Sequence, residues 1–250
     1  MPKTALKAAP SASDAFMHLP HLQERIVTPE KSRLRATPEV MASWDTYARK
    51  TGCCQPWRLS DHELQASRLS VLARHAAGED LWIYAYGSLM WDPGIHFAEV
   101  RRASLDGFQR RFAHKTCIGR GTLQNPALSL SIMQHAGSCQ GLAFRIPGDL
   151  VEAESAILWR REMLLGGYSA QILRMTTPQG EIMALALTSD SSHHSYVGNL
   201  PLNEAATLIA KASGILGSNR EYLEQLAHQL GVLEIEDTYV ERLLQKVCSH

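Results

Sequence analysis

The sequence predicts an α+β fold, with strands gathered in the middle of the chain and helices toward both ends. Three observations predict it. Residues 81–91 read LWIYAYGSLMW, an apolar and aromatic strand that stops at Gly87-Ser88. Residues 128–133 alternate Leu128, Leu130 and Ile132 with Ser129 and Ser131, the period of a half-buried strand. Ser60-Asp61-His62-Glu63 and Asp149-Leu150-Val151-Glu152 carry the spacing of capping boxes, in which a short polar side chain and a Glu satisfy a helix start reciprocally.

The elements follow in order. Residues 1–58 hold Pro2, Pro10, Pro20, Pro29, Pro38 and Pro56 among scattered basic residues, which predicts a partly ordered arm with one short helix over 38–49. The box at Ser60 opens a helix to about His75, docked by Leu64, Val71 and Leu72. The strand at Leu81 follows. Asp92-Pro93-Gly94 makes a turn, and residues 97–112 hold strand pieces. A loop at residues 119–122, a strand over 128–133 and another over 141–146 come next. The second box opens a helix from about Leu150 to Leu165, stopped by Gly166-Gly167. Strands over 172–176 and 182–187 flank Pro178-Gln179-Gly180. A polar loop covers 189–200, and helices start near Asn203, Asn219 and Thr238.

Composition excludes several classes of function. The 250 residues suffice for one sizeable core. Lys plus Arg equals Asp plus Glu at 25 each, so no net charge favours nucleic acid or an anionic membrane. No apolar run approaches the roughly 18 residues of a membrane span. Lys3 and Lys7 precede no apolar signal core, so secretion is not expected. Cys53, Cys54, Cys117, Cys139 and Cys248 are odd in number and lack zinc spacing, which suits reduced thiols in the cytoplasm.

Two stretches carry candidate chemistry. A sharp turn after a strand frees backbone N–H groups, and such a nest holds an anion or a developing oxyanion. Gly87 and Ser88 sit in that position. In the helix around Trp159-Arg160-Arg161-Glu162, Leu158 lies four residues before Glu162 and Leu165 three after it. A carboxylate on such a face is desolvated and becomes a stronger base, unless it is paired with an Arg on a solvated face. His193-His194 has no carboxylate at ligand spacing and reads as a solvated loop. Cys117 near Lys115 has no assignable His partner and reads as inert. Ser88 lies in YGSL, outside any G-x-S-x-G elbow.

Tyr84-Ala85-Tyr86-Gly87-Ser88-Leu89-Met90-Trp91 resembles the signature of the ChaC family, the glutathione-specific γ-glutamylcyclotransferases. Further landmarks follow in family order: Gly107-Phe108, Arg110-Arg111-Phe112, Arg120-Gly121-Thr122, Gly141-Leu142-Ala143-Phe144-Arg145, Arg161-Glu162, Gly166-Gly167-Tyr168, Tyr196-Val197-Gly198, and Asn219-Arg220-Glu221-Tyr222-Leu223. Ala85 stands where the family usually has Gly, and Gly119 where it often has His. The resemblance implies a small closed mixed β-barrel with surrounding helices over residues 81–250, preceded by an N-terminal arm and capped helix over 1–80.

It also implies cleavage of glutathione to 5-oxoproline and cysteinylglycine, with no cofactor and no metal, because the nucleophile is the substrate's own α-amine. On that reading Glu162 is general base and acid. Tyr84, Ala85, Tyr86, Gly87, Ser88 and Leu89 form the γ-glutamyl pocket, and Arg120 and Tyr168 contact substrate. Arg120 and the loop around Tyr196 are the expected receivers of the cysteinylglycine end. The rival readings are a non-enzymatic γ-glutamyl-binding module and a cyclotransferase for other γ-glutamyl amines. The expected partner is a small molecule, with no nucleic acid and no membrane; oligomeric state is left open.

Overall fold

A computed structural model describes residues 12–52 and 56–249, with side chains from Asp14 onward. Five strands close a barrel in the order β1-β3-β2-β4-β5: β1 (Leu81–Ala85), β2 (Glu99–Thr116), β3 (Ala127–Ile146), β4 (Tyr168–Thr177) and β5 (Gly180–Ser189). β1 runs antiparallel to β3, with Tyr84 opposite Ala143, and parallel to β5, with Ile83 opposite Leu185. The barrel is therefore mixed. With neighbours on both sides, β1 is buried on both faces, as its unbroken apolar run requires.

The helices pack around this barrel. α1 (Ala12–Ala15), α2 (Pro38–Lys50) and α3 (Asp61–Leu72) precede it, and α4 (Val151–Glu162) lies between β3 and β4. α5 (Leu202–Lys211), a short hairpin of β6 (Ser213–Gly214) and β7 (Gly217–Ser218), α6 (Asn219–Val232) and α7 (Thr238–Cys248) complete the chain. The capping box at Ser60 forms: its hydroxyl accepts from the Glu63 amide, and Glu63 reaches back to the Ser60 amide at 2.8 Å. α6 starts with another, from Ser218 and Glu221.

Several expectations are corrected. The box expected at Asp149 does not form. Leu150 is the N-cap with no side-chain cap, and Glu152 turns instead to Arg68, a buried cation of α3 that needs a carboxylate. Residues 128–133 and 141–146 are two ends of one 20-residue strand. The stretch joining them, residues 134–138, is exposed, so no apolar alternation betrays it as strand. α3 stops at Leu72 and α4 at Glu162, each three residues short of its expected end.

The arm adds packing that the sequence did not predict. Its helix falls where the sequence placed it, but the described arm is packed into the protein. Phe16, Leu19, Leu22 and Ile26 join the same hydrophobic core as β1 and β3. The Val27 amide donates to the Trp91 carbonyl at 2.8 Å, so the arm is tied to the turn after β1. Arg35 pairs with the buried Glu154 of α4 through two hydrogen bonds of 2.7 and 2.8 Å. Such a bidentate fork is among the stronger protein ion pairs. Short apolar pieces between prolines carry no helical or strand period, which is why the sequence hid this docking. Cys53 and Cys54 lie outside the described residues.

Candidate active site

A cavity of about 610 Å³ opens beside the end of β1. Tyr84, Tyr86, Gly87, Ser88 and Leu89 line it. Ala85 does not, which corrects its expected place in the pocket. Strand alternation carries Tyr84 and Tyr86 to the cavity side, and Ala85 is wholly buried opposite Leu142.

Three tyrosines are fixed by their hydroxyls. Tyr84 donates to the Cys139 carbonyl at 2.6 Å, Tyr86 to the Leu187 carbonyl at 2.7 Å, and Tyr168 to the Leu130 carbonyl at 2.8 Å. Burial holds all three phenols above the usual tyrosine range, so they remain neutral. Behind the turn, buried Arg110 donates to the Tyr86 carbonyl at 2.7 Å and pairs with Asp237 at 3.1 Å. The backbone at Tyr86 is thus braced from outside the cavity.

After Gly87 the chain makes a single helical turn over Ser88–Met90. The first amides of any helical turn have no carbonyl partner inside it. Here the Ser88 amide meets the Tyr222 hydroxyl, whose pKa burial pushes up to about 12. Gly87 makes room for that contact. A Cβ at this position would stand 2.9 Å from Tyr222 Oη and 3.1 Å from Leu130 Cδ2. Tyr222 itself is wedged between the Trp91 and Phe112 rings.

Glu162 is the last residue of α4 and borders the same cavity. Gly166, at φ +76°, then reverses the chain so that Tyr168 begins β4 on the cavity wall. Glu162 retains 18% of its side-chain surface and is part of the cavity wall. Desolvation raises its carboxyl pKa above the usual range, with a smaller push from nearby Asp92, and Arg161 opposes the rise. The C-terminal end of a helix carries partial negative charge, which also disfavours a carboxylate there.

Arg161 links the two candidate stretches. Its Nε lies 2.8 Å from Glu162 Oε1, its Nη2 donates to Ser88 Oγ at 3.1 Å, and its Nη1 donates to the Asp92 carbonyl at 2.6 Å. The sequence offered Glu162 either a desolvated face or an Arg partner; the structure gives it both. Arg161 and Tyr222 stood in the sequence only as family landmarks. The missed signal was an Arg directly before a helix-terminal Glu, where one residue's offset turns both side chains toward one loop.

Arg120 and Tyr168 both line the cavity. Arg120 donates to the Ser218 carbonyl at 2.9 Å, and its guanidinium lies 5.4 Å from the Tyr222 ring centroid. From the polar loop it is Ser195, not Tyr196, that reaches the wall. Ser195 Oγ lies 3.0 Å from His114 Nδ1 and 2.8 Å from His193 Nδ1, and burial pushes the His114 pKa down to about 4. His193 is therefore held in a polar chain rather than left in solvent. Among the described residues no group of three His, Cys, Asp or Glu side chains could hold a metal ion.

The comparisons agree with this geometry. The family model described as "ChaC-like protein" matches residues 81–250. The glutathione-specific gamma-glutamylcyclotransferase of Escherichia coli is 34% identical over 189 residues, spanning 75% of this chain and 81% of its own. Glutathione-specific gamma-glutamylcyclotransferase 1 of Rattus norvegicus is 31% identical, spanning 68% of this chain and 79% of its own. A solved glutathione-specific gamma-glutamyl cyclotransferase from yeast superposes with a TM-score of 0.63 at 22% identity, covering 68% of this chain and 96% of that one, and so shares the fold. The chain belongs to the ChaC-like family.

Proposed function

We infer that this protein is a γ-glutamylcyclotransferase that cleaves glutathione to 5-oxoproline and cysteinylglycine. The single observation that carries the chemistry is the shared frame of Arg161, which holds the basic Glu162 and the Ser88 turn together at one cavity. The names of the relatives support glutathione as substrate.

The reaction needs a proton acceptor first. A free α-ammonium has a pKa of about 8. Glu162 takes its proton, and the neutral amine attacks the γ-carbonyl carbon of the same glutamyl residue. A C–N bond forms and the carbonyl oxygen becomes an oxyanion. The amides of Gly87 and Leu89, beside the Ser88 amide that Tyr222 occupies, receive that charge, a contribution on the order of 10²–10³ per donor. Collapse then breaks the bond to the cysteine nitrogen as Glu162 returns its proton to the departing amine, and the re-ionised Glu162 relays the second proton of the ring nitrogen to that amine, so that a neutral lactam and a cysteinyl ammonium leave. Atoms and charge balance with no water consumed. Tyr84, Tyr86 and Tyr168 wall the bent glutamyl chain, which supplies the proximity such a cyclisation requires.

In this reading residues 81–250 are the catalytic unit, and the described part of the arm adds to its cavity wall. No described helix is long and apolar enough to cross a membrane, and the thiol usage supports a cytoplasmic setting. A Glu162 kept basic by burial favours an enzyme over a passive γ-glutamyl-binding module. Incubation with glutathione and with γ-glutamyl amines, read by 5-oxoproline release, tests both the activity and the substrate class.

A further inference from the structure

Five residues of the arm, Arg33, Leu34, Trp44, Tyr47 and Trp57, line the cavity. None falls within the matched family segment. Their segment is held firmly. Arg35 donates to the Gly94 carbonyl at 2.8 Å and forks onto Glu154, while Ala36 is fully buried and its carbonyl faces Arg160. A Cβ on Gly94 would meet both Ser32 Oγ, at 3.2 Å, and Arg161 Nη1, at 3.0 Å. The arm therefore runs directly beside the guanidinium that holds Glu162.

Between these anchors Arg33 is exposed at the cavity edge. Among the described residues it has no hydrogen-bond or ion-pair partner, unlike Arg35, Arg120 and Arg161. The lining is also unbalanced in charge. Arg33, Lys115, Arg120 and Arg161 are cationic, and among the described lining residues Glu162 is the sole carboxylate. Such a cavity favours an anionic ligand. The reacting end must reach Glu162 and buried Tyr86, so the far end of an extended tripeptide points toward the mouth. That end is a carboxylate. A guanidinium fork matches a carboxylate better than the point charge of Lys115 does.

We propose that Arg33 binds the terminal carboxylate of the leaving dipeptide, and that Trp44, Tyr47 and Trp57 make the arm the wall that selects it. The proposal rests on the glutathione reading. It assigns to the arm the discrimination that the catalytic pocket cannot provide, since every γ-glutamyl compound shares the reacting end.

The test is kcat and KM for glutathione and for its glycine amide, which lacks the terminal charge. The variants are Arg33→Ala, Arg33→Lys, Lys115→Ala, Arg120→Ala and, as an exposed arm control, Arg25→Ala. Arg33→Ala raises KM for glutathione about tenfold, as loss of one charge-assisted contact does, with kcat little changed and the amide unaffected. Arg33→Lys recovers part of the loss, and Arg25→Ala matches wild type. Equal effects of Arg33→Ala on both substrates, or none on either, overturn the proposal. So does loss of the acid-over-amide preference in Lys115→Ala or Arg120→Ala but not in Arg33→Ala. If the folded wild type releases 5-oxoproline from neither compound, the glutathione reading fails and this proposal falls with it.

Discussion

Arg161 Nε stands 2.8 Å from Glu162 Oε1, while Nη2 of the same guanidinium reaches Ser88 Oγ at 3.1 Å. One side chain thus sets the basicity of the proposed base and the position of the proposed oxyanion turn. The pairing lowers a carboxyl pKa that burial raises. Removing the guanidinium leaves burial unopposed.

Arg161→Met is therefore expected to move the acidic limb of kcat/KM to higher pH. A general base works only when ionised, and its pKa rises further once the cation is gone. Turnover at neutral pH falls roughly tenfold or more, because the Ser88 turn loses its anchor as well. The check is a pH–rate profile of wild type and variant. A limb that stays in place separates Arg161 from the tuning of Glu162.

Stability should shift with pH in a defined direction. Because the folded-state pKa of Glu162 is raised, the folded protein holds that proton more tightly than the unfolded chain. This contribution is fully present below the ordinary carboxylate pKa and is lost as pH rises through the raised value. Glu162→Gln has no proton to lose. Its Tm relative to wild type is expected to rise from mildly acidic to mildly alkaline buffer, measured by thermal unfolding at both. A difference that moves the opposite way means that the ionised carboxylate stabilises the fold.

The arm's ion pair should matter more to stability than surface pairs do. Glu154 is 3% exposed and forks onto Arg35. Arg35→Ala leaves a buried carboxylate without its cation, a loss of about 3–5 kcal/mol. Adding Glu154→Gln should recover much of it. Denaturant melts of the single and double variants decide the matter. Full stability of Arg35→Ala would mean that the arm is only loosely held.

Gly87 should be intolerant of a side chain for a local reason. A Cβ there stands 2.9 Å from Tyr222 Oη. Overpacking of this kind costs about 1–3 kcal/mol, and here it displaces the turn that faces the substrate. Gly87→Ala is expected to lose activity at least tenfold while remaining folded. Tyr222→Phe removes the hydroxyl, so the double variant should regain part of that loss. If the second change deepens the defect, the hydroxyl is itself needed in the turn.

Much of this arrangement could be read from residues alone. The aromatic alternation at Tyr84 and Tyr86 announced β1, and the glycine after it announced the turn. Leu158, four residues earlier, made Glu162 a candidate and the family resemblance made it the expected base, whereas Leu165 lies beyond the end of α4. What escaped had no period to betray it. Leu22 and Ile26 dock through short turns between prolines, where neither helical nor strand spacing develops. Nothing in the local spacing of Trp44, Tyr47 and Trp57 places them at the cavity, which forms only when the arm folds onto the rest of the chain. Residues 134–138 are exposed and carry no apolar alternation, so two strands seemed to stand where one long strand runs. Glu152 matched a capping pattern, but buried Arg68, distant in sequence, took its carboxylate. Each miss is a long-range pairing overriding a local signal.

The most direct measurement is incubation of the protein with reduced glutathione, wild type beside Glu162→Gln, with 5-oxoproline and cysteinylglycine quantified together. The account predicts equal amounts of the two products from wild type. It predicts a folded Gln variant at least about a hundredfold slower, the loss expected of a missing general base. Near-normal turnover by Glu162→Gln, or no 5-oxoproline from folded wild type, would contradict it.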